Sequence, residues 1–328
     1  MTVLIGGVDE AGLGPLLGPL TVGWSVLSVP QADSNPWELL SDVVAPAPKG
    51  ASKRIVVADS KKVYSRNAPG RARLERTALS FLTQVLDAVP QEPRGVLFGC
   101  LRAPEELVSQ HPWYAQLSPL PRHQGADLLE LSAAALARGL KRAKVSFVDG
   151  GVRLVPAGEL NASYRETNNK GETTWLRTLE VLVHIWRSHG KDAPCITVDL
   201  QGARQKYGAA LARGFPEASV TRIEERANYA SYRLDERGKS ADTWRPRRME
   251  LIFREKGDVH SFPTALASCF AKYAREISME AFNAYFQKID PDLKATAGYT
   301  TDGRRWLEDA RSILGPVELH RDVLIRTR

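Results

Sequence analysis

The sequence predicts an α/β protein: a mixed sheet flanked by helices, with insertions and a C-terminal helical segment. Two apolar runs near the N-terminus, "VLIGGVD" and "LTVGWSVLSV", read as strands joined by a glycine-proline turn. Through the middle of the chain, helix-period segments alternate with short β-branched runs. Towards the end, "SFPTALASCFAKYAREISMEAFNAYFQ" reads as a long helix. Ser261 stands at its N-cap, Pro263 in its first turn, and Leu266, Phe270, Tyr273 and Ile277 form one apolar stripe.

In chain order, the first two strands lead into "PQADSNPWELLSDVVAPAPKGASKR", whose prolines and small residues predict a surface connection. "RIVVADS" follows as a third extended segment, completing a hairpin or meander. "RARLERTALSFLTQVLDAV" sets Leu74, Ala78, Phe81, Leu82 and Val85 at helical spacing, and "RGVLFGCL" reads as a strand behind it. The proline- and aromatic-rich "APEELVSQHPWYAQLSPLPRHQG" reads as an inserted excursion. Next come a helix, "ADLLELSAAALARGLKRA", a strand, "VSFVDG", a helix, "TTWLRTLEVLVHIWRSHG", stopped by Gly190, and a strand, "CITVDL". Between Gly202 and Lys256 the expectation is a polar helix and two strands, around "SVTRIEERA" and "RRMELIFRE". The charged turn "DERGKSADTWRPR" separates them, in a second insertion or a long hairpin.

With 43% hydrophobic and 25% charged residues, the 328-residue chain can bury a full core, which excludes a disordered or fibrous protein. No run is long enough to cross a bilayer, and the N-terminus has neither a basic region nor a cleavable apolar segment, so the expected setting is cytoplasmic. Cys100, Cys195 and Cys269 are widely spaced in apolar surroundings and read as reduced core residues rather than a disulfide framework or a zinc site. The net charge of +7 points to a polyanionic partner, although a solvated basic surface gives the same number.

The residues with the most chemistry to offer are acids at strand ends. Asp9 and Glu10 close the first strand in "GGVDEAGLGPLLGP", Asp199 closes "CITVDL", and Asp258 follows "LIFREKG" just before the long helix. Neighbouring strand residues face opposite ways, so Asp9 and Glu10 reach one site only if the strand ends there and the glycine turn rotates the second acid. Each acid alone reads equally well as a cap or a turn residue. Four carboxylates brought into one cleft would repel one another, and two Mg²⁺ or Mn²⁺ ions would resolve that repulsion in a way suited to phosphodiester hydrolysis.

"GVDEAGLGPLLGPL", "ADSKKVYS", the strand-end "VD", "EKGD" and "ALASCFAKYARE" occur in the order of the ribonuclease HII motifs DEAGRGP, DSKK, VDG, KGD and AASxxAKxxRD, and "AGYTTDG" resembles that family's GY-containing segment. The sequence thus resembles the ribonuclease HII family over roughly half of the chain. The resemblance implies a ribonuclease H-like catalytic domain over residues 1–290, with insertions near 101–125 and 203–250, and a C-terminal segment, 291–328, packing beside the substrate groove. It also implies a monomer that uses a divalent metal to cut the RNA strand of RNA/DNA hybrids, or to cut at ribonucleotides embedded in duplex DNA, leaving 3′-hydroxyl and 5′-phosphate ends.

Carried over to this chain, Asp9, Glu10 and Asp258 match three of the family's catalytic, metal-binding acids. For the fourth, Asp149 in "FVDGG" is the closer string, whereas Asp199 follows a helix by a short turn, as the family's third acid does; Asp199 is preferred. Gly12, Leu13 and Gly14, together with Ser60, Lys61, Ser268, Lys272 and Tyr299, fall at substrate-contacting positions, and Arg275 shares a helix face with Ser268 and Lys272. Their plain alternatives are a turn, a solvated basic pair, a structural ion pair and simple packing. His260 has no role that spacing requires, and the basic tail "LHRDVLIRTR" either touches substrate or frays.

Leu13 replaces the family's arginine, which puts recognition of a single ribonucleotide in doubt. The interval from Asp199 to Asp258 and the whole chain are longer than the family pattern. Two other readings stand beside the hydrolase: a catalytically silent nucleic-acid-binding module of the same fold, and a nuclease acting on another nucleic-acid structure.

Overall fold

The computed structural model describes residues 2–86, 88–98, 109–201, 204–237, 245–315 and 319–327. Cys100, residues 101–108 of the first expected insertion and residues 238–244 of the charged turn lie outside the described residues.

A mixed seven-stranded sheet flanked by helices organises the chain. β1 (Val3–Ala11) and β2 (Leu20–Val29) form the expected hairpin, antiparallel from Val3 opposite Val29 to Ala11 opposite Thr21. β5 (Ser146–Val155) pairs antiparallel with β2. β6 (Cys195–Asp199) lies parallel to both β1 and β9 (Arg248–Arg254), and β8 (Tyr229–Glu236) and β7 (Ala218–Arg226) add antiparallel strands at the far edge. The parallel centre carries acids at its carboxyl ends.

One face of the sheet is covered by the Phe262–Ile289 helix, with the Ala68–Leu86 and Ala126–Ala143 helices beyond it. The other face meets the Lys170–His189 helix, whose Trp175, Val181, Leu182 and Ile185 are buried with Trp24, Ile196, Leu251 and Phe253. The long helix is capped as its sequence predicts, the Ser261 side chain accepting from Thr264 N. Its Leu266, Phe270, Tyr273 and Ile277 are all buried. It lies unusually close to β1 and β2 because Gly7 and Gly23 have no side chain at the crossing. A Cβ at Gly7 would overlap the backbone of Pro263 and Thr264, and one at Gly23 would overlap the Ala267 carbonyl.

Several expectations are corrected. "RIVVADS" does not join the hairpin: β4 (Ile55–Val56) pairs in parallel with β3 (Val44–Ala45) in a separate two-stranded sheet. The proline-rich connection is more than a surface loop, since it holds a short helix, Pro36–Leu39, and buries Leu40, Val44, Ala45 and Ala51. The "RGVLFGCL" run is not a strand where it is described. Pro93 opens a helix, Pro93–Phe98, and the adjacent residues Val96 and Leu97 are both buried, which a half-buried strand would not allow.

"YASYRLDE" is a strand the sequence reading missed. It pairs with both β7 and β9, so "SVTRIEERA" and "RRMELIFRE" are not direct partners, and residues 218–254 contribute three strands to the main sheet. The Ala157–Thr167 helix was not anticipated either. Among the described residues no helix is long and apolar enough to cross a membrane. Cys269 is buried and Cys195 half-buried, both free.

Candidate active site

The parallel pairing of β1 and β6 ends at Val8 and Val198. Past that point the strands part, and Asp9 and Asp199 are the next residue on each side. A sheet opening at the carboxyl ends of parallel strands is a recurrent place for polar ligands. β9 runs alongside β6 as far as Asp199 opposite Arg254. The chain then turns at Lys256 (φ +56°) into the short Gly257–His260 helix, which carries Asp258. Gly257 N donates to Asp199 Oδ1 at 2.7 Å, tying the two segments together.

Asp9, Glu10, Asp199 and Asp258 therefore line one cavity of about 310 Å³. The expectation that β1 must end before Glu10 is corrected, because the strand continues to Ala11 with Glu10 opposite Val22. Both side chains still reach the cavity. The Asp9 carboxylate turns along the chain to accept from Glu10 N at 2.7 Å.

Asp149 is elsewhere occupied. Its Oδ2 lies 2.8 Å from His184 Nε2 and 2.9 Å from His189 Nε2, and Trp24 Nε1 donates to its Oδ1 at 3.3 Å. These partners hold its carboxyl well below the usual carboxylate range in spite of burial. The residue pins β5 to the Lys170–His189 helix and does not line the acidic cavity.

The neighbouring positions divide into those that line the cavity and those that build its wall. Gly12, Leu13, Gly14, Ser60, Lys61, Lys272 and Tyr299 line it. Gly12 has φ +87° and turns the chain out of β1, while Leu13 is 49% exposed at the rim. Tyr299 is 46% exposed, with its ring 5.9 Å from the Arg275 guanidinium.

Ser268 is a correction: it is fully buried and does not line the cavity. Its Oγ accepts from Ser60 N at 3.2 Å and donates to Ala265 O at 2.8 Å, so it fixes the Ser60 turn from behind. Lys272 forms an ion pair with Glu276 at 2.5 Å and sits 4.5 Å from the Tyr64 ring centre. Arg275 also lines the cavity, but its guanidinium is buried and donates to the carbonyls of Leu17, Pro19 and Ala297. That holds the loop after β1 against the C-terminal segment. His260 does not line the cavity.

Two participants were missed. Asp59 lines the cavity as a fifth acid while capping the Ser60–Val63 helix, its Oδ1 accepting from Lys61 N at 2.9 Å. It directly precedes Ser60 in "ADSKK", and its reading as the end of an extended segment hid it. Gln201, two residues beyond Asp199, donates to Thr178 Oγ1 and, at 3.5 Å, to Glu10 Oε2.

The electrostatics follow from this crowding. Burial pushes the Asp9 carboxyl well above its ordinary range, and Glu10, Asp199 and Asp258 push it the same way. Burial and then Asp199 carry Glu10 up to about 7, against the Gln201 amide and the Lys61 ammonium. Asp258 rises to about 6, from burial first and then from Asp59 and Asp199. Burial raises Asp199 as well, opposed by the Gly257 and Leu200 amides and by Lys61.

The cleft is short of positive charge, and Lys61 is the cation that opposes three of its acids. An all-oxygen set of this kind fits a hard divalent cation such as Mg²⁺ or Mn²⁺. Among the described residues no three His, Cys, Asp or Glu side chains are already gathered as a ligand sphere.

No protein-family model matches the chain, and neither does any curated protein. Solved structures similar to it include the ribonuclease H2 of Pyrococcus horikoshii OT3, at 17% identity and a TM-score of 0.45, covering 95% of this chain and 89% of that one. A second is the RNase HII of Archaeoglobus fulgidus in its complex with PCNA, at 13% identity and a TM-score of 0.42, covering 99% and 95%. A third, Bst-RNase HIII in complex with Mn²⁺, is 13% identical with a TM-score of 0.42, covering 99% of this chain and 66% of that one.

The C-terminal segment is part of the same neighbourhood. Leu16 N and Leu17 N donate to Gly298 O at 2.7 and 3.1 Å, and Arg326 N donates to Leu16 O at 3.0 Å. The loop that follows Glu10 is thus held on both sides by backbone that comes from the end of the chain.

Proposed function

We propose that the chain is a metal-dependent endoribonuclease that cuts the RNA strand of RNA/DNA hybrids, or cuts at ribonucleotides embedded in duplex DNA, leaving 3′-hydroxyl and 5′-phosphate ends. The observation that carries this reading is the convergence of Asp9, Glu10, Asp199 and Asp258, with Asp59, on a cavity beside a glycine loop and Lys61. A cluster of mutually repelling acids gains nothing from facing phosphate unless cations sit between them.

Asp9, Glu10, Asp199 and Asp258 would hold Mg²⁺ or Mn²⁺, two ions in this reading. When bound, these supply an activated water and stabilise charge on the departing oxygen. The protein's own groups do the rest. Lys61 at the cleft wall attracts the strand, and Gly12 and Gly14, without side chains, let phosphate or ribose approach the backbone. Tyr299 offers a flat apolar face to a sugar. Gly257 N and Ser268 keep Asp199 and Ser60 in place.

Three end-labelled duplexes test the proposal: a continuous RNA strand on DNA, one ribonucleotide within DNA, and DNA alone, each with Mg²⁺, Mn²⁺ or EDTA. Metal-dependent cutting confined to the first two is expected, with Asp9→Asn reducing it by about a hundredfold or more without unfolding. Full activity in Asp9→Asn would sink the assignment. Binding without any cutting by well-folded protein would move it to a binding module.

A further inference from the structure

On the far side of the Gly12–Pro15 loop lies a second cavity, of about 330 Å³, that the proposed chemistry does not use. Leu13, Gly14 and Pro15 wall both it and the acidic cleft. Its floor includes Arg326, only 6% exposed. Arg326 Nη1 donates to the carbonyls of Gly12 and Pro15, yet its Nε and Nη2 are buried without a hydrogen-bond partner. A guanidinium carries five donors, and leaving charged donors unmet in the interior costs more than exposing them. Arg275, the other buried guanidinium on this loop, is also held by backbone carbonyls.

Opposite Arg326 the cavity is closed by the start of the Lys170–His189 helix, through Lys170, Thr173 and Thr174. Lys170 is exposed, and a helix start of this length adds partial positive charge. The pocket therefore combines a buried guanidinium whose Nε and Nη2 lack partners, an exposed ammonium and a helix N-terminus. No acidic side chain lines it.

We propose that this pocket receives a phosphodiester group of the nucleic-acid strand that crosses the Gly12–Pro15 loop, a second anchoring point beside the acidic cleft. The identification of the anion as part of a strand rests on the nuclease reading; the pocket's preference for phosphate does not. One loop separates the two cavities, so a strand seated in the pocket is held in register with the acids. Unlike the cleft, the pocket is positive without metal and binds in EDTA.

The test uses the full chain in EDTA throughout. Inorganic phosphate is titrated and followed by phosphorus NMR; binding is then measured for RNA/DNA hybrids in which single phosphates are replaced by neutral methylphosphonate. Phosphate affinity should fall about tenfold or more in Arg326→Lys, which loses the forked donors, and roughly threefold in Lys170→Ala. One methylphosphonate position should weaken hybrid binding to the unaltered protein and much less to Lys170→Ala.

Lys170 is on the surface, so its variant remains informative even if Arg326→Lys fails to fold. Phosphate affinity unchanged in Lys170→Ala and in folded Arg326→Lys would overturn the pocket. Variant-sensitive phosphate binding with no sensitive strand position would overturn the strand assignment in favour of a free anion. A protein that cuts no duplex but shows variant-sensitive phosphate binding would overturn the nuclease reading and leave the pocket standing.

Discussion

Glu10 illustrates what it costs to assemble the acidic cleft. In the fold its carboxyl holds a proton up to about pH 7, against 4.5 ordinarily. Across that interval the unfolded chain ionises first, so the stability present below about pH 4.5 is lost as the pH rises through about 7. In EDTA at pH 8, Glu10→Gln should therefore be more stable than the unaltered protein, by up to roughly 3 kcal/mol, with the gain vanishing near pH 4.5. Urea denaturation at the two pH values measures it, and a variant less stable at pH 8 would refute the account. The acids at strand ends and before the long helix were legible in the sequence, but not Asp59 or Arg326. Asp59 lay hidden because it doubles as a helix cap, and Arg326 because nothing local to "IRTR" says that its guanidinium is buried beneath a loop some three hundred residues away.

At the scale of the element, the long helix and the β1–β2 hairpin decide where the acids stand. Gly23 admits the Ala267 carbonyl, and Gly14 faces open space at the cleft rim. Gly23→Ala should destabilise the protein by about 2–3 kcal/mol, since close-packed backbone has nowhere to move. Gly14→Ala should stay within about 0.5 kcal/mol of the unaltered protein, and thermal unfolding of the two variants separates the cases. Equal stability would mean that the helix does not rest on Gly23.

Elements with a long helical period were legible in the sequence, as in "ADLLELSAAALARGLKRA", which matches the Ala126–Ala143 helix residue for residue. Short apolar runs were not. "RGVLFGCL" fits either period, and its helix is decided by Pro93 and by contact with β5. "YASYRLDE" carries charges and tyrosines that look like a loop until Tyr232 and Leu234 are seen to be buried between neighbouring strands.

Across the whole molecule, two charge systems depend on pH in opposite directions. Asp149, held low by His184 and His189, contributes stability above its ordinary value of 3.8 that is lost as the pH falls through its lowered value. The cleft acids are raised, so their ionisation erodes stability as the pH climbs from 3.8 towards about 6 at Asp258 and from 4.5 towards about 7 at Glu10. The metal-free protein should accordingly be most stable at mildly acidic pH, about 4 to 5, rather than at neutrality. A divalent cation binds only the ionised cleft and stabilises the fold by mass action, so Mg²⁺ should raise the melting temperature at pH 8 and barely change it at pH 5. Asp149→Asn should lower stability at neutral pH by about 1–3 kcal/mol while leaving hybrid cleavage in place, because that carboxylate pins a strand to a helix away from the cleft. Melting curves with EDTA and with Mg²⁺, run on both proteins, and a hybrid-cleavage assay of the variant test both halves. An equal Mg²⁺ effect at the two pH values would mean that the acids do not hold the cation, and loss of cleavage in folded Asp149→Asn would return the third acidic position to Asp149.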